Sequence, residues 1–186
     1  TGVRGIRLAK GDQVIALAVL GHVMAAVEER AAYLKHKRRT EGEETEVSAP
    51  DDAEEAGAQD ITLTPERIAE MEASEQFLLT VTDRGFGKRS SAYEYRVTGR
   101  GGQGIGGITL SRRTGTAVVA SFTVQAGDHI MLMTDGGQAI RFEAEQVRQT
   151  GRQSQGVMLQ RLDEAERVTS CFPVLEDEAE DTAPDE

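Results

Sequence analysis

Apolar and polar residues alternate over short stretches through most of the chain, and each stretch ends at a glycine-containing turn. Ile130 to Met133, the turn Thr134-Asp135-Gly136-Gly137 and Gln138 to Phe142 read as a β-hairpin, as do Phe77 to Thr82, Asp83-Arg84-Gly85 and Phe86 to Ser90. Two further apolar runs, Val118 to Val124 and Val168 to Val174, read as single strands, which makes Cys171 a small strand residue. The pattern changes between positions 21 and 75. Gly21 to Arg39 has helix-forming composition, with Val23, Val27 and Leu34 at near-helical spacing and Lys35, Lys37, Arg38 and Arg39 at the end where cations favour the helix dipole. Thr64 followed by Pro65 marks the start of a second helix running to about Glu75.

The strand pattern repeats. Gly2-Val3-Arg4-Gly5-Ile6-Arg7-Leu8 aligns with Gly104-Ile105-Gly106-Gly107-Ile108-Thr109-Leu110, and again with Gly156-Val157 through Leu162, the last two copies lying 52 residues apart. The same offset superposes Thr82-Asp83 on Thr134-Asp135, Arg89 on Arg141, Arg96 on Arg148 and Gly99-Arg100 on Gly151-Arg152, and an offset of 50 superposes Val118–Val124 on Val168–Val174. An all-β unit of this length covers its apolar face with its neighbour, so the fold class predicted is all-β, a partial propeller-like array containing the last two to three blades. Residues 1–20 and 76–175 supply the blades. Residues 21–75 form an insertion of helix, acidic loop and helix, read as the replacement of a hairpin loop after Val14 to Val19.

Charge sharpens this division. The net charge is −11, yet residues 1–39 carry +5, 40–76 carry −12, 77–162 carry +5 and 163–186 carry −9. Thr40 to Asp60 and Glu176 to Glu186 lack the apolar periodicity that would offset chain entropy and are expected to be disordered, leaving a basic folded part with acid tethered to it. Arg4 and Arg7 in the first unit, Lys88, Arg89, Arg96, Arg100, Arg112 and Arg113 in the second, and Arg141, Arg148 and Arg152 in the third are the candidate polyanion-binding residues. Repeated on successive blades, they form a stripe around a rim suited to a bent duplex, binding phosphates without base specificity and weakening steeply with salt. The alternative for any one of them is ordinary solvated charge. Tyr33, Tyr93 and Tyr95 read as packing residues.

Other chemistry finds little support. The run from Gly99 to Gly107 lacks the preceding strand, following helix and Lys-Ser/Thr pair of a nucleotide loop. His22, His36 and His129 have no carboxylate or nucleophile at a motif spacing, and a lone cysteine leaves no thiolate zinc site, so neither catalytic nor metal-ligating residues are expected. No run of about 18 apolar residues and no leader is present, so a cytoplasmic protein without a membrane partner is expected.

Thr1-Gly2-Val3-Arg4-Gly5-Ile6-Arg7-Leu8, Gly85-Phe86-Gly87-Lys88-Arg89, Glu94-Tyr95, Gly104-Ile105, Ile130 to Gly137 and Gly151-Arg152-Gln153-Ser154-Gln155-Gly156-Val157 together resemble the C-terminal β-pinwheel of the DNA gyrase A family. The resemblance covers residues 1–20 and 76–175. Gly99-Arg100-Gly101-Gly102-Gln103-Gly104 resembles a degenerate copy of that family's Gln-Arg-Gly-Gly-Lys-Gly box. What the resemblance implies is a non-catalytic, DNA-wrapping part of a nucleoid-associated type IIA topoisomerase that introduces negative supercoils. It further implies an A2B2 assembly with the rest of the gyrase A protein and with the gyrase B protein, with ATP and Mg2+ used elsewhere in the holoenzyme. An acidic tail that competes with DNA for the basic surface also matches the family. Two alternatives stay open: the equivalent domain of the topoisomerase IV A protein, and a protein-interaction module acting through the inserted helices.

Overall fold

The computed structural model describes residues 2–22, 24–40 and 61–174. Both predicted hairpins form: β1 (Phe77–Thr82) pairs antiparallel with β2 (Phe86–Ser91), and β4 (His129–Thr134) with β5 (Ala139–Glu143). Their turns need a left-handed residue, supplied by Gly85 at φ +74° and Gly137 at φ +81°. β3 (Val118–Val124) returns to pair with β1, Val124 opposite Phe77, and β7 (Val168–Val174) returns to β4, Val174 opposite His129. β6 (Val157–Met158) lies against β2, so the sheet orders are β3-β1-β2-β6 and β5-β4-β7. The fourth strand of the sheet built by the second unit therefore comes from the third unit, and this exchange joins the blades.

The repeat extends to individual hydrogen bonds. Thr82 Oγ1 accepts from Phe86 N at 3.3 Å, and Thr134 Oγ1 from Gln138 N at 3.2 Å. Asp83 N donates to Ala117 O at 3.0 Å and Asp135 N to Arg167 O at 3.0 Å, while their carboxylates accept from Thr116 N at 2.9 Å and Arg167 N at 2.8 Å. Each threonine thus closes its hairpin, and each aspartate holds the start of the strand that returns to it. Leu79, Val81, Ile130 and Leu132, fully buried, form one core with Ala120, Val124, Val147 and Val168 between the two sheets. Cys171 is a buried strand residue of this core, its thiol pushed up to about 12 by burial.

The segments 2–8, 14–20 and 104–110, aligned with strands by the repeat, form no strand, and Leu17 stands 91% exposed. The exchange pattern supplies the reason. β3 and β7 each join the hairpin before them in the chain, and β6 joins the hairpin of the unit before its own. By the same rule 14–20 and 104–110 belong to a hairpin other than β1–β2 and β4–β5, and no further hairpin is among the described residues.

The insertion contains α1 (Val27–Thr40) and α2 (Pro65–Ala73). α1 starts six residues later than composition suggested, where the Glu29 carboxylate accepts from Ala26 N at 2.9 Å and caps the first turn. α2 begins as expected, with Thr64 Oγ1 accepting from Arg67 N at 3.3 Å. Both helices dock on the first blade. Tyr33, Leu34 and Met71 bury against Tyr93, the Tyr33 and Tyr93 rings meet edge to face at 5.4 Å, and Tyr93 Oη donates to Met71 O at 2.9 Å. Arg30 donates to the carbonyls of Tyr93 and Tyr95 at 3.2 and 3.3 Å, and Lys37 pairs with Glu75 at 2.6 Å. The hairpin-loop reading of the insertion needs correction: 14–20 corresponds to β3 and β1 to β4, and the β3–β4 connection at 125–128 runs between sheets. The insertion therefore occupies a link between blades. The disorder expected of the two acidic segments concerns residues that, apart from Thr40 at the end of α1, lie outside those described.

Candidate nucleic-acid interface

The eleven predicted cations divide into two interior, two half-buried and seven exposed residues. Lys88 and Arg152 are interior residues, 0% and 2% exposed, and the expectation that they stand on a rim is corrected. β2 pleats Lys88 toward the third unit, where its ammonium donates to Gly151 O at 2.8 Å, Ser154 O at 3.3 Å and Arg152 O. Burial pulls its pKa down to about 8, a shift opposed by the negative charge of Glu94. Glu94 is itself buried and accepts from Arg152 N at 2.6 Å. The Arg152 guanidinium donates to Gly106 O and lies 6.0 Å from the centre of the Tyr95 ring. These groups seat residues 151–154 on the first blade just before β6.

Arg89 is half-buried and does related work. Its side chain donates to Val147 O at 2.8 Å and Glu145 O at 3.3 Å, while its backbone N and O pair with Arg148 O at 3.3 Å and Thr150 N at 2.9 Å. Burial holds its pKa below the usual arginine value. Arg96 is half-buried and lines, with Arg152 and the backbone of Gly104 to Gly106, a cleft of about 410 Å3.

Arg4, Arg7, Arg100, Arg112, Arg113, Arg141 and Arg148 are exposed. Three of them converge: Arg7 N donates to Gly102 O at 2.7 Å and Gly101 N to Gly5 O at 2.8 Å, which lays the first unit's Arg4 and Arg7 alongside Arg100 in the glycine-rich run. Gly101, at φ +80°, turns that run toward them. The Arg113 guanidinium lies 5.7 Å over the Phe86 ring beside the β1–β2 turn. Arg141 occupies the position on β5 that Arg89 occupies on β2, but β5 has no outer partner strand among the described residues. Position in the array thus decides exposure: the repeat makes these residues equivalent, and the neighbouring unit covers some and not others.

Sequence reasoning missed Glu94 as the group that anchors Arg152. Its signal was an acid within an otherwise basic repeated stretch, aligned with neutral Gln146 in the next unit. Tyr93 and Tyr95 are packing residues as expected, Tyr93 against the insertion and Tyr95 against Arg152.

Equivalent sheets linked by an exchanged strand, with exposed arginines contributed by successive units, define a propeller-type array of β-blades bearing a cationic surface. The chain belongs to the family described as DNA gyrase C-terminal domain, beta-propeller, whose profile matches residues 1–20, 76–116 and 128–175. It is 56% identical to the DNA gyrase A protein of Granulibacter bethesdensis over 188 residues, covering 97% of this chain and 20% of that protein. It is 47% identical to the DNA gyrase A protein of Rickettsia bellii over 180 residues, covering 94% of this chain and 19% of that protein. Among solved structures, a DNA gyrase A C-terminal domain matches at 26% identity with a TM-score of 0.50, covering 53% of this chain and 33% of that one. The chain therefore spans about a fifth of the length of the curated relatives it matches.

Proposed function

We propose that the chain is a non-catalytic DNA-wrapping segment that holds the phosphates of duplex DNA on exposed arginines, without base specificity, for a gyrase-type topoisomerase. The observation that carries this reading is the convergence of Arg4, Arg7 and Arg100 through backbone pairing between two units. Three exposed cations on paired backbone segments suit a polyanion of regular charge spacing, whereas a small-molecule anion needs an enclosed pocket. The names of the relatives favour gyrase over topoisomerase IV. In the same reading the chain works inside an A2B2 enzyme in the cytoplasm, on the nucleoid, where ATP and Mg2+ act in other parts of the assembly and wrapping directs negative supercoiling.

The test is the salt dependence of duplex binding by the complete gyrase A protein. Replacing Arg4, Arg7 and Arg100 together by alanine should make the log–log slope shallower by about 2.7, at about 0.9 per phosphate contact, and should reduce supercoiling more than relaxation. An unchanged slope would refute the assignment of these three residues.

A further inference from the structure

We propose that the insertion binds the duplex as well, with the exposed Lys35, Arg38 and Arg39 at the end of α1 extending the phosphate-binding surface of the blades. The inference rests on the DNA-wrapping reading, and it concerns residues 21–75, which lie outside the segments matched by the family profile.

Three observations carry it. The helix is held on the first blade by the Tyr33–Tyr93 contact and by Arg30 on the Tyr93 and Tyr95 carbonyls, so its end has a fixed place. Its charges are sorted along its length: Glu28 and Glu29 lie in the first turn, Lys37, Arg38 and Arg39 in the last. Glu29 is committed to Arg67 at 2.8 Å, an interaction that holds its carboxyl below the usual range, while Arg30 and Lys37 face the blade. Lys35, Arg38 and Arg39 lie on the outward side.

The third observation is continuity. Lys37 Nζ lies 5.1 Å from the centre of the Phe77 ring, and the Arg89 guanidinium lies 5.5 Å from the same ring. Arg89 N in turn donates to Arg148 O, and Arg148 is exposed. The basic end of α1 therefore abuts the seam between the second and third units and continues toward a cation of the third. A phosphate at a helix C-terminus meets roughly half a negative charge from the dipole, which three cations outweigh. A backbone that follows the seam would meet blade and insertion cations in succession.

The experiment replaces Lys35, Arg38 and Arg39 by alanine in the complete gyrase holoenzyme and measures duplex affinity against salt. Alanine is the best helix former, and the three side chains are exposed, so α1 should persist, which circular dichroism and thermal melting would check. The slope should become shallower by about 2.7. A second variant, K35R/R38K/R39K, keeps the charge and should keep the wild-type slope. A wild-type slope in the alanine variant would overturn the inference, and so would equal loss in both variants. A flat salt response of the wild-type enzyme would instead overturn the DNA-wrapping reading beneath it.

Discussion

Lys88 separates a structural from a DNA-contacting role for the predicted cations. Its ammonium caps three carbonyls of 151–154 and balances buried Glu94. Lys88→Met keeps the bulk of the stem but removes the charge, leaving those carbonyls and the Glu94 carboxylate without it. Removing one partner from such a buried group costs about 3–5 kcal/mol, which for a chain of this size lowers Tm by about 6–20 °C. As pH rises from about 8 toward the ordinary lysine value of about 10.4, the unfolded chain holds the Lys88 proton more tightly than the folded chain. Wild-type stability should therefore gain with pH in that window relative to the variant, by about 3 kcal/mol at its upper end, and the deficit of Lys88→Met should widen. The assay is urea unfolding of both proteins across this pH range, alongside the salt slope of DNA binding. A variant that melts like wild type while its salt slope falls by about 0.9 would show that Lys88 meets a phosphate, refuting the reasoning.

Gly156 sits at φ +77° where a Cβ would lie 2.6 Å from Gly87 O, whereas at Gly137, φ +81°, a Cβ would meet nothing within 4 Å. Gly137→Ala should cost about 1–2 kcal/mol from backbone conformation alone, and Gly156→Ala clearly more, because it also pushes β6 off β2; paired melting curves check the order. Cys171, its thiol raised to about 12, should resist iodoacetamide at pH 8.5 in the folded protein and react readily in denaturant. Because the folded state retains that proton above the ordinary thiol pKa of about 8.5, Cys171 should contribute stability below that value and lose it progressively as pH rises toward 12, which Cys171→Val would remove.

Residue order alone determined the hairpins, the returning strands and the repeat. A pleated strand alternates with period two, and its tight turns demand glycine, so Gly85 and Gly137 mark both hairpins before any folding is known. The Thr-Asp pairs were equally legible as turns, because they recur 52 residues apart, each followed by a glycine in the turn. Strand exchange was not legible. β6 has only two residues, and which edge it joins depends on how one blade lies on the next. That packing also decides which members of a repeated set are exposed. Arg89 and Arg141 hold the same position on the second strand of a hairpin, yet Arg89 is half-buried against residues 145–150 while Arg141 stands on an open edge. Charge is a property of the residue and can be read from the chain. Solvation belongs to the neighbours that cover it, and only the tertiary structure supplies those.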